Sequence, residues 1–538
     1  MTSLLSHFAR EVPGVRVSDS VVDQVAYGRD LWPRHHLAVR SGVVGTHRPG
    51  AIVWPESTAD VERIVAFCNH TGTPLVPFGA GSGVCGGVLP TSEALVLDMK
   101  RMTRWLALDA AAPTLTVEAG QMGLPLEDEL GRRGYTLGHF PSSIVCSTVG
   151  GWVAGRSAGQ SSGKYGKIED MVVSVECVTG RGERLVLPRR GHGPSLLPLV
   201  IGSEGTLAVI TQATLRLHPR PTARAFAGFA FDSTEAGWEG MRALFQRGLR
   251  PAVARLYDPF DAMLARQGAV KAEKTAKGPG DAAPGMGGAV LRTMLRAPGA
   301  LNALVEGLGS RVFGGALLVL VFEGEGDGPG EECREARAVL EAMGARYEGE
   351  GPARKWLAHR YSVSYRQAPV FRDGAFSDTM EVAASWSKLG ALYDGVRRAL
   401  GESVFVMAHF SHAYPDGCCI YFSFAGSAPP GTPRGEWDAA SEAVYDRTWR
   451  AALGAAVDAG ATLAHHHGVG RSKAPKLALE LGSTGIATAH AVKRAFDPRG
   501  ILNPGALLPP VSPEPYLKRA GTAPVVRATA GLGQRGAR

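Results

Sequence analysis

The sequence predicts a protein of mixed helix and strand that is divided into two or three domains. Its 538 residues are too many for one ordinary hydrophobic core. Short apolar runs that end at proline or glycine predict strands, and they alternate with amphipathic segments that predict helices. The pattern changes at residues 219–224, after which amphipathic helices, strands and acidic patches alternate, and we expect a domain boundary there.

Composition and charge narrow the classes of function. The chain is 45% hydrophobic and 20% charged, which is typical of a globular protein, and its formal net charge is +8. That charge would suit nucleic acid, an anionic membrane surface or an anionic substrate. The sequence has no Lys/Arg-rich block and no aromatic-basic array, so we expect no nucleic-acid partner.

The cysteines and the apolar runs indicate a cytoplasmic protein. The seven cysteines are odd in number and form no C-x-x-C pair, which favours reduced thiols over disulfides or structural zinc. The first residues lack the cationic start and long apolar core of a secretory signal. No apolar run reaches the ~18 residues that a membrane-spanning helix needs. We therefore expect any membrane contact to be peripheral.

A glycine-rich turn at residues 79–87 separates two predicted strands. It contains G-x-G-x-x-G at Gly81, Gly83 and Gly86, a motif of nicotinamide-binding Rossmann folds. That fold needs a crossover helix between the strands, but only residues 88–92 are left for it and a proline interrupts them. Two interpretations remain: a nest of backbone N–H groups that binds an anion, and an ordinary glycine-rich hairpin turn.

Residues 141–166 combine many glycines and serines with the apolar residues Val149, Trp152 and Val153. Glycine lets the backbone approach a ligand closely or adopt a positive φ, at a cost in conformational entropy. The stretch therefore predicts one wall of a cofactor site, and a mobile Gly/Ser loop is the alternative. A third turn of small residues, 202–206, lies between two apolar runs that predict strands. Three such turns could converge on one elongated anionic cofactor.

Four motifs occur in order along the first half of the chain: Pro77-Phe-Gly-Ala-Gly-Ser-Gly83, Ser147-Thr-Val-Gly-Gly151, Lys164-Tyr-Gly-Lys-Ile-Glu-Asp170 and Gly202-Ser-Glu-Gly-Thr-Leu207. Together they resemble the FAD-binding domain of the vanillyl-alcohol oxidase and p-cresol methylhydroxylase (PCMH) family. The resemblance implies an α+β fold. A PCMH-type FAD-binding domain of two subdomains would be followed by an α/β cap domain for the substrate and a helical C-terminal segment.

The domain boundaries follow from this resemblance and from composition. We expect a helical lead-in at 1–45, the FAD-binding domain at 46–220, the cap at 221–455, and a C-terminal segment with a histidine motif at 456–510. Residues 511–538 lack apolar periodicity and predict a disordered tail. Within the cap, residues 270–288 are rich in Lys, Gly, Ala and Pro and predict a mobile loop, which is either a lid or a plain insertion.

The resemblance implies that FAD is bound, with its pyrophosphate held by backbone amides of the first loop. No histidine in that loop offers a covalent attachment point, so we expect noncovalent FAD. The residues expected to contact it are Pro77, Phe78, Gly79, Ala80, Gly81, Ser82, Gly83, Ser142, Ser147, Thr148, Gly150, Gly151, Arg156, Ser157, Ala158, Gly159, Glu204, Gly205, Thr206, Val209 and Ile210.

Motifs of the second half resemble the alkyldihydroxyacetonephosphate synthase (alkylglycerone-phosphate synthase) branch of this family. Ala464-His-His-His-Gly-Val-Gly-Arg471 is similar to its triple-histidine motif, and Gly417-Cys-Cys-Ile-Tyr-Phe422 is similar to the segment with its catalytic tyrosine. The resemblance implies catalytic roles for Tyr421, His465, His466 and His467. It also implies that Arg255 and Arg366 bind substrate, with Arg372 as a rival to Arg366.

The histidine run is chemically suited to such a site. Adjacent residues of an extended segment point in opposite directions, so at most two of the three imidazoles face one pocket. Imidazoles with pKa values near ~6.5 can donate, accept or carry charge at neutral pH. A zinc site that includes His409 and His412 is the rival interpretation. The sequence lacks a carboxylate or cysteine set at a characteristic spacing, and we expect no metal.

The function implied by the resemblance is an exchange without net redox change, in which the acyl group of acyl-dihydroxyacetone phosphate is replaced by a long-chain alcohol to give an ether-lipid precursor. The alternative is an FAD-linked oxidoreductase of a 2-hydroxy acid or an alcohol. The metal motif expected of the hydroxy-acid branch is absent at residues 409–417, whereas the first loop reads Gly-Ala-Gly-Ser-Gly as in bacterial flavin dehydrogenases. The expected partners are a phosphorylated lipid, a fatty alcohol, a membrane surface and a second copy of the chain as a homodimer.

Overall fold

The computed structural model describes residues 4–191, 193–272, 295–361, 370–371, 374–509 and 526–527. From residue 273 onward the predicted mobile loop 270–288 lies outside these residues, and so does the predicted tail 511–538 except for residues 526–527. The mobility of the loop and the disorder of the tail stay predictions.

Helices and strands are mixed along the whole described chain. In chain order the strands are β1 (Arg16–Ser18), β2 (Val43–Val44), β3 (Ala51–Trp54), β4 (Leu75–Phe78), β5 (Leu95–Asp98), β6 (Trp105–Asp109), β7 (Thr114–Glu118), β8 (Tyr135–Thr136), β9 (Val172–Thr179), β10 (Arg184–Pro188), β11 (Ala208–Arg216), β12 (His218–Pro219), β13 (Ala223–Phe231), β14 (Val253–Tyr257), β15 (Ala316–Gly324), β16 (Arg346–Gly349), β17 (Ala375–Ser385), β18 (Phe405–Ala413), β19 (Gly417–Ser427) and β20 (Val526–Arg527). The helices are α1 (Leu4–Glu11), α2 (Val21–Ala26), α3 (Arg34–Arg40), α4 (Thr58–Thr71), α5 (Gly123–Arg132), α6 (Val149–Gly155), α7 (Ser162–Tyr165), α8 (Ile168–Met171), α9 (Leu197–Val200), α10 (Thr234–Gln246), α11 (Pro259–Ala272), α12 (Pro298–Phe313), α13 (Gly328–Ala342), α14 (Gly351–His359), α15 (Leu389–Gly401), α16 (Trp437–Asp458) and α17 (Leu477–Phe496).

Two sheets form the N-terminal part of the molecule. The first has the order β1-β3-β5-β4, with β3, β5 and β4 parallel and β1 antiparallel to β3. The second is antiparallel throughout, in the order β10-β9-β11-β7-β6. Between β4 and β5 the chain forms turns and bends without a helix, in agreement with the rejection of a Rossmann fold from the sequence.

Helix α4 links β3 to β4 and shows how the sequence determines this part of the fold. Ser57 caps its N-terminus by accepting a hydrogen bond from the N–H of Asp60 at 3.2 Å, and Gly72 ends it in the left-handed conformation with φ of 76°. Four apolar residues at the spacing i, i+3, i+4 and i+7 of one helix face are buried against the first sheet: Val61, Ile64, Val65 and Cys68.

A seven-stranded antiparallel sheet forms the second half of the molecule, in the order β16-β13-β15-β14-β18-β19-β17. Its central strand β15 is buried on both faces because its side chains alternate between two cores. Leu318, Leu320 and Phe322 pack into the larger core, whereas Leu317 and Val319 pack on the opposite face with α11 and α14. This opposite face also lines the cavity described below.

The chain returns to the N-terminal sheets at its end. Leu75 of β4 donates its N–H to the carbonyl of Ile501 at 2.8 Å and forms a parallel bridge with Leu502. The fully buried side chain of Leu502 joins the core beneath α4. The segment between α16 and this return, which carries the histidine run, is therefore held at both ends.

The α+β class predicted from the sequence is confirmed, and one local prediction is wrong. The apolar run before the turn at 202–206 was expected to be a strand, but it contains α9, with Leu197 and Val200 buried. A short apolar run carries too little periodicity to separate a buried helical turn from a strand. In the described ranges no helix combines the length and hydropathy needed to cross a bilayer.

The core on β15 gives a direct test of the sheet assignment. Leu320 is 0% exposed between β13 and β14, and we expect Leu320→Ala to lower the free energy of unfolding by about 2–5 kcal/mol. The matched control is Leu479→Ala on α17, where the side chain is 56% exposed, and we expect a change within about 0.5 kcal/mol. Urea unfolding monitored by tryptophan fluorescence measures both values. Equal effects of the two substitutions would contradict the assignment.

Candidate active site

One large cavity, with a volume of about 1440 Å³, is lined by residues of both halves of the molecule. The N-terminal part contributes the turn at 79–87 and residues of the stretches 142–160 and 204–210. The seven-stranded sheet contributes residues of β14, β15, β18 and β19, and the histidine run reaches it from the C-terminal segment. The three small-residue turns predicted from the sequence therefore converge on one space.

The turn at 79–87 has the features of an anion nest. Gly81 and Gly86 have φ values of 66° and 73°, a region that favours glycine. A Cβ on Gly79 would lie 2.5 Å from Oγ1 of Thr148, so the turn packs directly on the start of α6. Residues 80–83 line the cavity, and their backbone N–H groups donate no hydrogen bond to any residue that the structure describes. A row of unpaired N–H groups at a cavity wall fits a diphosphate.

Most residues that the sequence predicted to contact the cofactor line this cavity. They are Pro77, Phe78, Gly79, Ala80, Gly81, Ser82, Gly83, Ser142, Ser147, Thr148, Gly150, Gly151, Ser157, Ala158, Glu204, Gly205, Val209 and Ile210.

Three predicted contacts lie away from the cavity wall and have structural roles. The guanidinium of Arg156 pairs with Glu169. A Cβ on Gly159 would lie 2.5 Å from the N atom of Phe140, so glycine is needed there for packing. Thr206 donates its hydroxyl to the carbonyl of Ser203 at 2.7 Å. The motifs that suggested these residues mark the turns but do not tell which side chains face the cavity.

Tyr421 lies in the middle of β19, where sheet geometry places it between two polar neighbours. Its register partners are Glu381 on β17 and His409 on β18, so all three side chains project from the same face of the sheet. Ile420 and Phe422 point the other way into the large core. The imidazole of His409 stacks on the Tyr421 ring with a centroid distance of 4.6 Å.

Two imidazoles contact the phenol oxygen of Tyr421. Nε2 of His466 lies 2.8 Å from Oη, and Nε2 of His412 lies 2.9 Å from it. Burial raises the pKa of Tyr421 well above its usual value, and the charge of Glu381 adds to this effect while Arg255 opposes it. Tyr421 is therefore a neutral phenol in the resting site.

His412 reaches Tyr421 because β18 is irregular. The register of β18 against β19 shifts between Ser411 and Ala413, and His412 has a φ of 54°. Its Nδ1 lies 2.7 Å from the hydroxyl oxygen of Ser162 on α7, and Tyr414 donates its own hydroxyl to that oxygen at 3.2 Å. Burial lowers the pKa of His412 well below 6.5, so the ring is neutral at pH 7.

The histidine run at 465–467 presents only part of itself to the cavity. His466 and His467 line the cavity, and His465 does not. Burial, followed by the neighbouring His466, lowers the pKa of both His465 and His467 to about 3. These two imidazoles therefore supply hydrogen bonds at neutral pH without adding positive charge.

Two buried carboxylates hold the backbone of this segment. Glu381 accepts hydrogen bonds from the N–H groups of His465 at 2.9 Å and His467 at 3.2 Å. Glu204 accepts from the N–H groups of Val469 at 2.6 Å and Gly470 at 2.8 Å. Glu204 was predicted as a cofactor contact, but its carboxylate is used to fix the C-terminal segment to the N-terminal part.

The guanidinium of Arg255 supplies positive charge at the cavity. Arg255 lies on β14 next to β18, lines the cavity, and has a buried Nε with no hydrogen-bond partner among the described residues. Asp261, which contacts His409 Nδ1 at 3.2 Å, is the neighbouring carboxylate, and its burial raises its pKa to about 6. The other predicted substrate arginines, Arg366 and Arg372, lie outside the described residues.

Four side chains lie close enough together to be considered as metal ligands: Glu381, Cys419, His465 and His466. The sequence argument against zinc relied on the lack of a carboxylate or cysteine set, yet the fold brings both next to the histidines. In the described structure these four side chains contact one another, while Nε2 of His465 is buried without a hydrogen-bond partner among the described residues. The Cys419 thiol donates to Glu381 Oε1 at 3.2 Å, and burial raises its pKa well above 9. The expectation of no metal stays a prediction.

Several residues of the site escaped the sequence analysis. Ser162 lies in the stretch 141–166 but received no role of its own, Glu381 and Tyr414 were not predicted, and His409 and His412 were considered only as zinc ligands. Their roles depend on strand register and on a bulge that brings residues from β17, β18 and α7 together. The alternation of polar residues at Ser377, Thr379 and Glu381 was the available signal for Glu381.

Comparison with known proteins identifies the family. Residues 49–187 match the FAD binding domain family, and residues 220–507 match the family of FAD linked oxidases, C-terminal domain. The chain belongs to the FAD-linked oxidases. FAD is accordingly its cofactor, and the unpaired N–H groups at 80–83 would hold the pyrophosphate.

Individual relatives of this FAD-linked oxidase extend over most of the chain. It is 28% identical over 495 residues to an alkyldihydroxyacetonephosphate synthase of Trypanosoma brucei brucei. This alignment covers 89% of this chain and 76% of the relative. A solved structure of an alkyldihydroxyacetonephosphate synthase aligns with a TM-score of 0.70 and 26% identity over 93% of this chain and 84% of that one. p-Cresol methylhydroxylase aligns with a TM-score of 0.67 over 92% and 94%, and its 16% identity shows the shared fold alone.

The turn at 79–87 gives a test of the FAD site. A Cβ at Gly81 would adopt an unfavourable positive φ and lie 2.6 Å from the Phe78 ring, so we expect Gly81→Ala to lower the FAD content of the purified protein severalfold. Gly134→Ala is the control, because Gly134 has a φ of 81° with open space around it and does not line the cavity. The visible flavin absorbance per polypeptide measures both. Full FAD content in Gly81→Ala would contradict the site.

Proposed function

We propose that the protein exchanges the acyl group of acyl-dihydroxyacetone phosphate for a long-chain alcohol. The ester group leaves as a carboxylate, the alcohol gives up its O–H proton, and the alcohol oxygen becomes the ether oxygen. One alcohol enters and one carboxylic acid leaves, so the overall reaction involves no net redox change. When bound, FAD supplies an electron-accepting ring against which the substrate carbon can be activated.

The observation that carries the proposal is the buried phenol of Tyr421 between the imidazoles of His412 and His466 at the cavity wall. An alcohol substrate must lose a proton, and a phenol paired with a neutral imidazole can pass a proton in either direction. Burial lowers the pKa values of the neighbouring His412 and His467, so these imidazoles are neutral at pH 7.

The charge and the apolar wall of the cavity also support the proposal. Arg255 lies on the cavity wall near Tyr421, and its planar guanidinium suits a phosphate or the leaving carboxylate; Arg266, Lys355 and Arg360 add positive charge elsewhere on the wall. A second part of the wall is apolar and suits a fatty chain; it is formed by Leu264, Leu301, Leu317, Val319, Phe405, Met407 and Phe424. The net charge of +8 favours approach to an anionic lipid surface.

We propose a second copy of the chain as its partner by analogy with the family.

The assay uses purified holoenzyme, acyl-dihydroxyacetone phosphate and a labelled fatty alcohol under anaerobic conditions. We expect labelled ether product and free fatty acid in equal amounts, with the flavin still oxidised. The second candidate, an oxidoreductase of an alcohol or 2-hydroxy acid, is favoured by the family of FAD-linked oxidases. It predicts bleaching of the flavin by the alcohol or hydroxy acid alone. Bleaching without ether product would overturn the exchange.

Removal of the Tyr421 hydroxyl tests its role. We expect Tyr421→Phe to keep its FAD and to lower the rate of ether formation on the order of 100- to 10,000-fold, because the proton carrier is lost. Tyr445→Phe is the matched control, since Tyr445 is a buried tyrosine of the same half that does not line the cavity. Its hydroxyl contacts Asp378, a residue of the cavity wall, and Trp32. A Tyr421→Phe enzyme as active as Tyr445→Phe would contradict the proposal.

Arg255 is tested through its binding of the anionic group. We expect Arg255→Lys to raise KM for the phosphorylated substrate on the order of tenfold with a smaller change in kcat, because lysine cannot pair bidentately. The same variant should show the wild-type KM with an ester that lacks the phosphate. Steady-state kinetics with both esters measures this difference. An equal rise in KM for both esters would assign Arg255 to another part of the substrate.

A further inference from the structure

Glu381 pairs with Tyr421 across β17 and β19 and is fully buried, with an exposure of 0%. A carboxylate in this position is stable only if hydrogen bonds replace its hydration. Glu381 has an unusual number of donors around it. Besides the N–H groups of His465 and His467, the N–H of His466 lies 3.4 Å from Oε2, and the thiol of Cys419 donates to Oε1. The backbone of three consecutive residues therefore converges on one carboxylate.

Glu381 also contacts the imidazole that touches Tyr421. Nδ1 of His466 lies 3.3 Å from Oε1 of Glu381, while Nε2 of the same ring lies 2.8 Å from Oη of Tyr421. Burial acts to raise the pKa of Glu381, but the neighbouring histidines and Lys473 outweigh it and hold the pKa well below 4.5. Three backbone N–H groups and a thiol all donate to its oxygens, which is the arrangement of an ionised carboxylate that can only accept hydrogen bonds.

An ionised Glu381 fixes the direction of a chain of hydrogen bonds. Nδ1 of His466 lies 3.3 Å from Oε1 of Glu381 and 3.0 Å from Nδ1 of His465, so a ring proton on this atom has the carboxylate as an acceptor and leaves Nε2 to accept the O–H of Tyr421. Because Tyr421 donates its hydroxyl proton to His466, Oη is left to accept a hydrogen bond from the Nε2–H of His412. Nδ1 of His412 is bare in turn and accepts the hydroxyl of Ser162, which accepts from Tyr414. Every polar hydrogen of this chain has one acceptor.

We propose that Glu381 is the positioning residue of this site: its carboxylate holds the 465–467 segment in place and orients His466 to take the proton of Tyr421. When the O–H proton of Tyr421 moves to Nε2 of His466, the phenol becomes a phenolate and the ring becomes an imidazolium. Glu381 then faces the charged Nδ1–H, and His412 donates to the phenolate. No proton or electron leaves the chain, and the phenolate can accept a proton from the substrate.

The proposal rests on the proposed function for the identity of the reaction, but the geometry does not depend on it. Among the described residues, the carboxylate of Glu381 neither lines the cavity nor hydrogen-bonds to the hydroxyl of Tyr421, so it acts through His466. The rival explanation of the same cluster is a divalent metal bound by Glu381, Cys419, His465 and His466. A metal would take Nδ1 of His466 as a ligand and remove its proton donor.

The kinetic test compares Glu381→Gln with wild-type holoenzyme. We expect kcat to fall on the order of 100-fold or more, with KM and FAD content unchanged, because an amide no longer stabilises the imidazolium. The limb of the kcat–pH profile that reports deprotonation of the Tyr421–His466 pair should move to lower pH, because the negative charge of Glu381 disfavours the loss of a proton beside it. In an enzyme that already carries His466→Gln, adding Glu381→Gln should lower kcat only slightly further, since both residues act as one unit.

Asp497→Asn is the matched control for loss of a buried, backbone-binding carboxylate. Asp497 is 1% exposed and accepts the N–H groups of Ile501 at 3.1 Å and Leu502 at 2.8 Å, far along the chain from Tyr421 and outside the cavity wall. We expect it to lower the unfolding temperature while the pH profile stays that of the wild type. Parallel changes in kcat and pH profile for the two variants would reduce Glu381 to a stabilising role and overturn the proposal.

Crystal structures of wild-type and Glu381→Gln holoenzyme separate this proposal from the reaction assignment. We expect the 2.8 Å contact between Tyr421 Oη and His466 Nε2 in the wild type and its loss or lengthening in the variant. If this occurs while the wild type makes no ether product, the proposed function fails and the positioning role stands. An unchanged contact in the variant, or one equivalent of bound zinc in the wild type, would overturn the positioning role.

Discussion

The candidate site depends on two buried carboxylates that hold one short segment from opposite sides. Glu381, from the seven-stranded sheet, binds the N–H groups of residues 465–467, and Glu204, from the N-terminal part, binds those of residues 469–470. Charge-assisted hydrogen bonds of this kind are stronger than those between neutral groups. The segment that carries the imidazoles is therefore fixed at the meeting place of both halves, where the cavity lies.

The sheet determines the remaining geometry. The side-chain period of a strand places Glu381, Tyr421 and His409 in one row on the cavity face and sends their neighbours into the core. The bulge at His412 adds a second imidazole that regular pairing would have directed elsewhere. Burial keeps both Tyr421 and His412 neutral, which suits proton exchange between them and His466.

Much of the first domain follows from local sequence, because its signals are short-range. Ser57 and Gly72 determine the ends of α4, and the glycine-rich turns predicted where a cofactor would lie. The site residues of the second half were harder to predict from the sequence. The histidine run and Tyr421 were found by resemblance, whereas Glu381 and Ser162 owe their places to strand register and long-range packing, which no local pattern encodes. For the same reason Arg156, Gly159 and Thr206 were expected at the cavity wall and instead support the turns behind it.

The most direct test of the account is to locate the protons themselves by neutron diffraction of the holoenzyme or by NMR of protein with nitrogen-15-labelled histidine. The account predicts a proton on Nδ1 of His466 with Nε2 bare, and a proton on Nε2 of His412 with Nδ1 bare. His466 with a bare or metal-bound Nδ1 would contradict the central claim that the charge of Glu381 orients the groups around Tyr421.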